Sequence, residues 1–182
     1  MRSVWTVTQP CTWGGSDAHP SAFLDRSSDG GLSWRLVDPP ASAAVIAIAI
    51  DANQPSVVYV GTAAGLFKSG DRGEHWTALN PGTFSRYPIS VVTIAPGDSN
   101  LVYAGVQLTV DGNSTIFRTT DGGVTWTVVG PTLRGVSPTP PGVVYVAYSF
   151  DGVFKSSDHG DTWSPARTGL GGSPTTDTPV ID

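Results

Sequence analysis

Four aspartates recur in one local pattern, and they are the first place to look for chemistry. Asp29, Asp71, Asp121 and Asp158 each lie in a stretch reading Ser/Thr-x-Asp-x-Gly-x-(Ser/Thr/His)-Trp. The four copies are Ser27, Asp29, Gly31, Trp34; Ser69, Asp71, Gly73, Trp76; Thr119, Asp121, Gly123, Trp126; and Ser156, Asp158, Gly160, Trp163. Repeated carboxylates suggest acid/base catalysis or calcium binding. Each loop offers one or two acids, the second being Glu74 or Asp161, whereas a calcium site needs about six or more oxygens. A turn accounts for all four. The Asp accepts from its own following amides, the Gly takes a left-handed conformation at little cost, and the preceding Ser or Thr adds a side-chain bond. The Trp then has a large ring to bury against a neighbouring sheet.

Other carboxylates remain for acid/base work. Glycosidic bond cleavage takes two of them, about 5–10 Å apart. The candidates outside the repeated turns are Asp17, Asp25, Asp38, Asp51, Asp98, Asp111, Asp151 and Asp177. Asp51 and Asp98 follow strand-like runs, where turn residues belong, and Asp111 and Asp151 precede Gly as hairpin residues do. Asp25 departs from its repeat. Four positions before the repeated Asp the other copies have Phe67, Phe117 and Phe154, and this one has an acid. Either that face is exposed or the acid serves a site. Trp13 and Asp17 share a Gly-rich segment, and an aromatic beside an acid suits a sugar, because the ring stacks on apolar sugar faces. Asp17 and Asp25 are thus the catalytic candidates and Trp13 the ligand-binding candidate.

Other chemistries find little support. The three histidines form no HxH or HExxH spacing, so no metal site is assigned. Cys11 is the single cysteine and excludes a disulfide framework. No G-x-S-x-G elbow is present, and no cofactor is implied. The chain has 182 residues with a formal charge of −5, which argues against a nucleic-acid partner. The longest apolar run, Ala43 to Ile50, is too short to span a bilayer as a helix.

The elements that position these residues are strands. The repeated aspartates are 42, 50 and 37 residues apart. Between them lie short β-branched runs such as Val45 to Ile50, Val91 to Ala95, Leu101 to Val106 and Val143 to Ala147, separated by turn residues. In the first repeat Val4 to Thr8 and Ser21 to Leu24 are the expected strands. Pro131 to Pro141 reads as loop. Four-stranded units at this spacing predict an all-β propeller. The expected blades are 1–38, 42–80, 88–130 and 139–168, with 171–182 as the start of a fifth.

The motif resembles the Asp-box, or bacterial neuraminidase repeat, found in sialidases, xyloglucan-cleaving glycoside hydrolases, sortilin-type receptors and photosystem II stability factors. The resemblance covers nearly the whole chain and implies a propeller whose Asp-boxes sit at the blade rim, away from the ligand-binding mouth. Propellers of that kind have six to eight blades or more, so four Asp-boxes predict a partial propeller with an incomplete or open ring. An open arc exposes an apolar blade face at each end and invites self-association.

Three functions follow from the resemblance. One is a binding or scaffold module for glycan or protein, without a complete catalytic set of its own. A second is part of a secreted glycoside hydrolase of the xyloglucanase type. Sialidase chemistry is disfavoured, because the only Glu is Glu74, inside an Asp-box. The third is a photosystem stability or assembly factor, disfavoured by scattered arginines. If the chain is an enzyme, it is a glycoside hydrolase. The compartment stays open: relatives are often extracellular or periplasmic, while MRSVWTVTQP carries no apolar signal core.

Overall fold

Val, Ile, Thr and Tyr fill the runs between turns, and they favour a pleated, half-buried backbone. The computed structural model describes residues 4–8, 23–38, 40, 43–79, 87–107, 114–133, 135–139, 142–148 and 152–166, and among them every regular element is a strand. The chain divides into two units, Met1–Ile89 and Ser90–Asp182.

The first unit holds two antiparallel sheets. One contains β1 (Val4–Thr8), β2 (Phe23–Ser27) and β3 (Arg35–Val37), in that order. The other contains β4 (Val45–Ile50), β5 (Val58–Thr62), β6 (Gly65–Ser69) and β7 (Thr77–Ala78), also in chain order. In the second unit, β8 (Ile89–Ile94), β9 (Val102–Gln107), β10 (Ser114–Thr119) and β11 (Thr127–Leu133) form one four-stranded sheet. Its second sheet runs through β12 (Gly135–Thr139), β13 (Val143–Tyr148), β14 (Gly152–Ser156) and β15 (Ser164–Pro165). Each is an up-and-down meander, the architecture of a propeller blade.

Among the described residues the first blade shows three strands. Two expectations are corrected. The strand expected from Ser21 to Leu24 runs on to Ser27, because Asp25 pairs across with Thr6 and Leu36 instead of ending it. The proline-rich stretch from Pro131 to Pro141 is largely strand: β11 runs to Leu133 and β12 spans Gly135–Thr139. Both are edge strands of their sheets, and an edge tolerates a residue with no N–H on its unpaired side.

The cores lie between the sheets of each unit. In the first, Leu24 and Val37 meet Val45, Val58 and Val60, with Trp5 and Trp76 packed against them. In the second, Ala95, Leu101, Tyr103 and Ile116 meet Val144 and Val146, flanked by Val129 and Trp163. Fully burying a residue such as Leu24 contributes about 1.5–3 kcal/mol. Blade thus packs on blade, which holds the connecting hairpins in fixed relative positions within each unit.

Candidate functional site

The Asp-box turns are built alike. In the first, Ser27 Oγ donates to Asp29 Oδ1 at 2.7 Å and accepts from Gly31 N–H at 2.7 Å. Ser33 donates its N–H to Asp29 Oδ1 at 2.9 Å and its hydroxyl to Oδ2 at 2.6 Å. Thr125 and Thr162 repeat the second pair of bonds on Asp121 and Asp158. In the second turn His75 replaces the hydroxyl, with Nδ1 at 2.6 Å from Asp71 Oδ2.

These bonds hold all four carboxyls well below the usual carboxylate range. The leading cause is the Ser33 hydroxyl for Asp29, the His75 amide for Asp71, the Thr119 hydroxyl for Asp121 and the Ser156 hydroxyl for Asp158. A carboxylate so acidic, with both oxygens engaged inside its turn, is ill suited to act as a general acid near neutral pH. Among the described residues no group of three or more His, Cys, Asp or Glu is placed to hold a metal ion.

The second and fourth boxes also receive contacts from the preceding blade of their unit. Trp76 Nε1 donates to the Asp38 carbonyl at 3.1 Å, and Trp163 Nε1 to the Val129 carbonyl at 2.6 Å. Arg26 Nη1 reaches the Arg72 carbonyl at 2.6 Å and Nη2 reaches Glu74 at 3.3 Å. Arg118 Nη1 reaches the His159 carbonyl at 3.0 Å and Asp161 at 2.8 Å. Tyr103, whose phenol is pushed up to about 12 by burial, donates to the same His159 carbonyl at 2.9 Å.

Sequence reasoning missed these arginine staples, though a two-blade period announced them. Three residues before the box Asp, blades one and three have Arg26 and Arg118, while blades two and four have Lys68 and Lys155. Three residues after it, blades two and four carry Glu74 and Asp161, while one and three carry Leu32 and Val124. The Arg of one blade therefore meets the acid of the next. Each Lys instead sits over a ring of its own sheet, Lys68 at 5.2 Å from the Tyr59 centroid and Lys155 at 5.8 Å from that of Tyr145.

Antiparallel order places the Asp-box hairpin, between β2 and β3, at one end of the first sheet. The end of β1 and the start of β2 lie at the other. Trp13 and Asp17 fall outside the described residues. Asp25 is half-buried in the middle of β2, opposite Leu36, which is 52% exposed. Asp51, expected as an ordinary turn residue, is buried. Its Oδ1 accepts from the amides of Asn53 and Gln54 at 2.8 and 3.1 Å, and its Oδ2 has no hydrogen-bond partner. In the second unit a cleft of about 310 Å³ opens at the Asp-box end, among Ala95, Asp98, Tyr103, Pro138, Gly142 and His159. Asp25, the one ligand candidate among the described residues, does not line it.

No protein-family model matches the chain. Xyloglucanase Xgh74A of Acetivibrio thermocellus is 30% identical over 181 residues, an alignment covering 79% of this chain and 21% of the relative. The chain thus spans about a fifth of the length of that relative. The GH74 xyloglucanase of Xanthomonas campestris superposes with a TM-score of 0.61 at 19% identity, covering 89% of this chain and 28% of the other. The structure described as YCF48 bound to D1 peptide gives 0.58 at 16% identity, covering 81% and 49%. Both the meander sheets and these neighbours define the class of the chain as β-propeller, in a glycoside hydrolase-like form. The four carboxylate-pinned hairpins carry the particular signature within that class. They match the Asp-box pattern, and the fold is similar to that of GH74 enzymes and YCF48.

Proposed function

We propose that this chain is a glycan-binding blade segment of a xyloglucanase-type glycoside hydrolase, without a complete catalytic set of its own. The similarity to Xgh74A carries the reading. The structure supports it by what it leaves available. The four box carboxylates are consumed by their turns, so ligand chemistry falls to other acids and to the end of the blades away from the boxes. By residue type, Trp13 offers a ring for the apolar face of a sugar and Asp17 an acceptor for its hydroxyls. Asp25, on the strand that follows, is the further acid.

Titration calorimetry with xyloglucan oligosaccharides tests the proposal. Binding is expected, and Trp13→Ala should weaken it at least tenfold, about 1.4 kcal/mol. A hydrolysis screen on xyloglucan and other β-glucans runs beside it. If turnover appears, Asp17→Asn and Asp25→Asn should abolish it; unchanged turnover in both removes them as catalytic groups. Absence of binding to any β-glucan overturns the reading. A second reading, a module that binds an extended peptide, is favoured by the match to peptide-bound YCF48. Binding of peptide but not glycan selects it.

A further inference from the structure

Two Asp-box faces are covered in the same way, and among the described residues a third is not. A Cβ built on Gly73 would lie 3.0 Å from Val37 of the preceding blade, and one on Gly160 would lie 3.4 Å from Val129 of the preceding blade. Beside each valine a main-chain carbonyl accepts the box indole, that of Trp76 or Trp163. On the first blade, a Cβ on Gly31 would meet, among the described residues, only Trp34, at 3.7 Å. Trp34 is 45% exposed and Leu32 is 89% exposed, whereas Trp76 and Trp163 are partly buried. The Trp34 indole N–H has no acceptor among the described residues, although each covered face supplies one.

We propose that this face docks a second copy of the chain, through the outer strand of that copy's fourth blade. The covered pairs show what the occupant must bring: an apolar residue three positions after its own box Trp, over the glycine, and a carbonyl for the indole. In the fourth blade the matching residue is Ala166, half-buried beside the exposed pair Ser164–Pro165. The arginine alternation selects the partner blade. A blade bearing Arg26 or Arg118 delivers a cation to the acid three residues after the next box Asp. The first blade has Leu32 at that place, and an arginine brought there would lose water without gaining a carboxylate. The fourth blade instead carries Lys155, held over its own Tyr145. A join of fourth blade to first also continues the alternation of the chain, in a heterologous, head-to-tail contact. The proposal is independent of the glycan reading.

Sedimentation equilibrium of the 182-residue chain, from low micromolar to about 1 mM, measures the association. Reversible self-association is expected. Trp34→Ala on the receiving face and Ala166→Glu on the donating strand should each weaken it at least about tenfold. Circular dichroism and the melting midpoint check that both variants fold. Leu32→Glu should also weaken association, and the double variant Leu32→Glu/Lys155→Arg should recover it by rebuilding the Arg–acid pair seen twice elsewhere. A chain that stays monomeric throughout overturns the proposal. So does association indifferent to Trp34 and Ala166, or a double variant no tighter than Leu32→Glu alone.

Discussion

Arg118 Nη1 lies 3.0 Å from the His159 carbonyl and 2.8 Å from Asp161 Oδ1, so one guanidinium engages both the main chain and the acid of the next blade's turn. The two partners differ in exposure: the Arg118 side chain is 15% exposed and that of Asp161 is 62% exposed. An exposed ion pair contributes about 0–1 kcal/mol, whereas a hydrogen bond involving a charged group in a sheltered place contributes about 1.5–3 kcal/mol. Asp161→Asn should therefore cost no more than about 1 kcal/mol and Arg118→Met about 1.5–3 kcal/mol. Tyr103 still donates to the His159 carbonyl in the second variant, so the fold should survive. Urea denaturation of both singles and the double gives the coupling directly. A coupling above about 2 kcal/mol would mean that the ion pair, not the carbonyl, dominates.

The box glycines allow a controlled comparison. Gly31 and Gly73 both have positive φ, +95° and +84°. A Cβ on Gly73 would lie 2.7 Å from the Trp5 ring and 3.0 Å from Val37, whereas one on Gly31 meets nothing closer than 3.7 Å. Gly31→Ala should thus cost the backbone penalty alone, about 1–2 kcal/mol. Gly73→Ala adds overpacking of about 1–3 kcal/mol. Thermal or urea unfolding should rank them in that order. Equal costs would show that Trp5 and Val37 move aside freely.

Acid should weaken the turns in a defined direction. All four box aspartates have folded values depressed below the ordinary 3.8. A depressed value gives stability that is fully present above the unfolded value and is withdrawn as pH falls through the folded one. The melting midpoint should accordingly hold above about pH 5 and fall progressively below about pH 4. Asp121→Asn should lower the midpoint at pH 7 and flatten its dependence on acid. An Asn variant with an undiminished slope would place the acid sensitivity in other carboxylates.

The fold was legible because its signal is redundant: Asp29, Asp71, Asp121 and Asp158 sit in four copies of one pattern, and the strands between them follow from β-branched runs and turn residues. What eluded sequence reasoning has physical causes. β12 was masked by its prolines, which count against a strand in general but are admissible at a sheet edge. Asp51 gave no sign of burial, since an Asx-type turn at the surface and one packed under a sheet need the same residues. The arginine staples depend on two positions in different blades, and a search for a single-blade pattern averages Arg26 with Lys68 and Leu32 with Glu74. Of the ligand candidates only Asp25 falls among the described residues, in a half-buried position in the middle of β2.

The last prediction separates a tryptophan that closes a blade pair from one that does not. Trp163 donates its indole N–H to the Val129 carbonyl at 2.6 Å and packs against the core formed by Tyr103, Ile116 and Val144. Trp163→Phe keeps much of the ring and removes the donor, leaving the Val129 carbonyl without its indole. The cost should be about 1–3 kcal/mol. Trp34 occupies the same position in the first blade, is 45% exposed and has no acceptor for its N–H among the described residues. Trp34→Phe should stay within about 0.5 kcal/mol at concentrations where the chain is monomeric. Denaturation at low protein concentration measures both, so that self-association does not contribute. A Trp34→Phe loss as large as that of Trp163→Phe would mean that the indole already has an acceptor within its own chain, and that the first blade's face is not open.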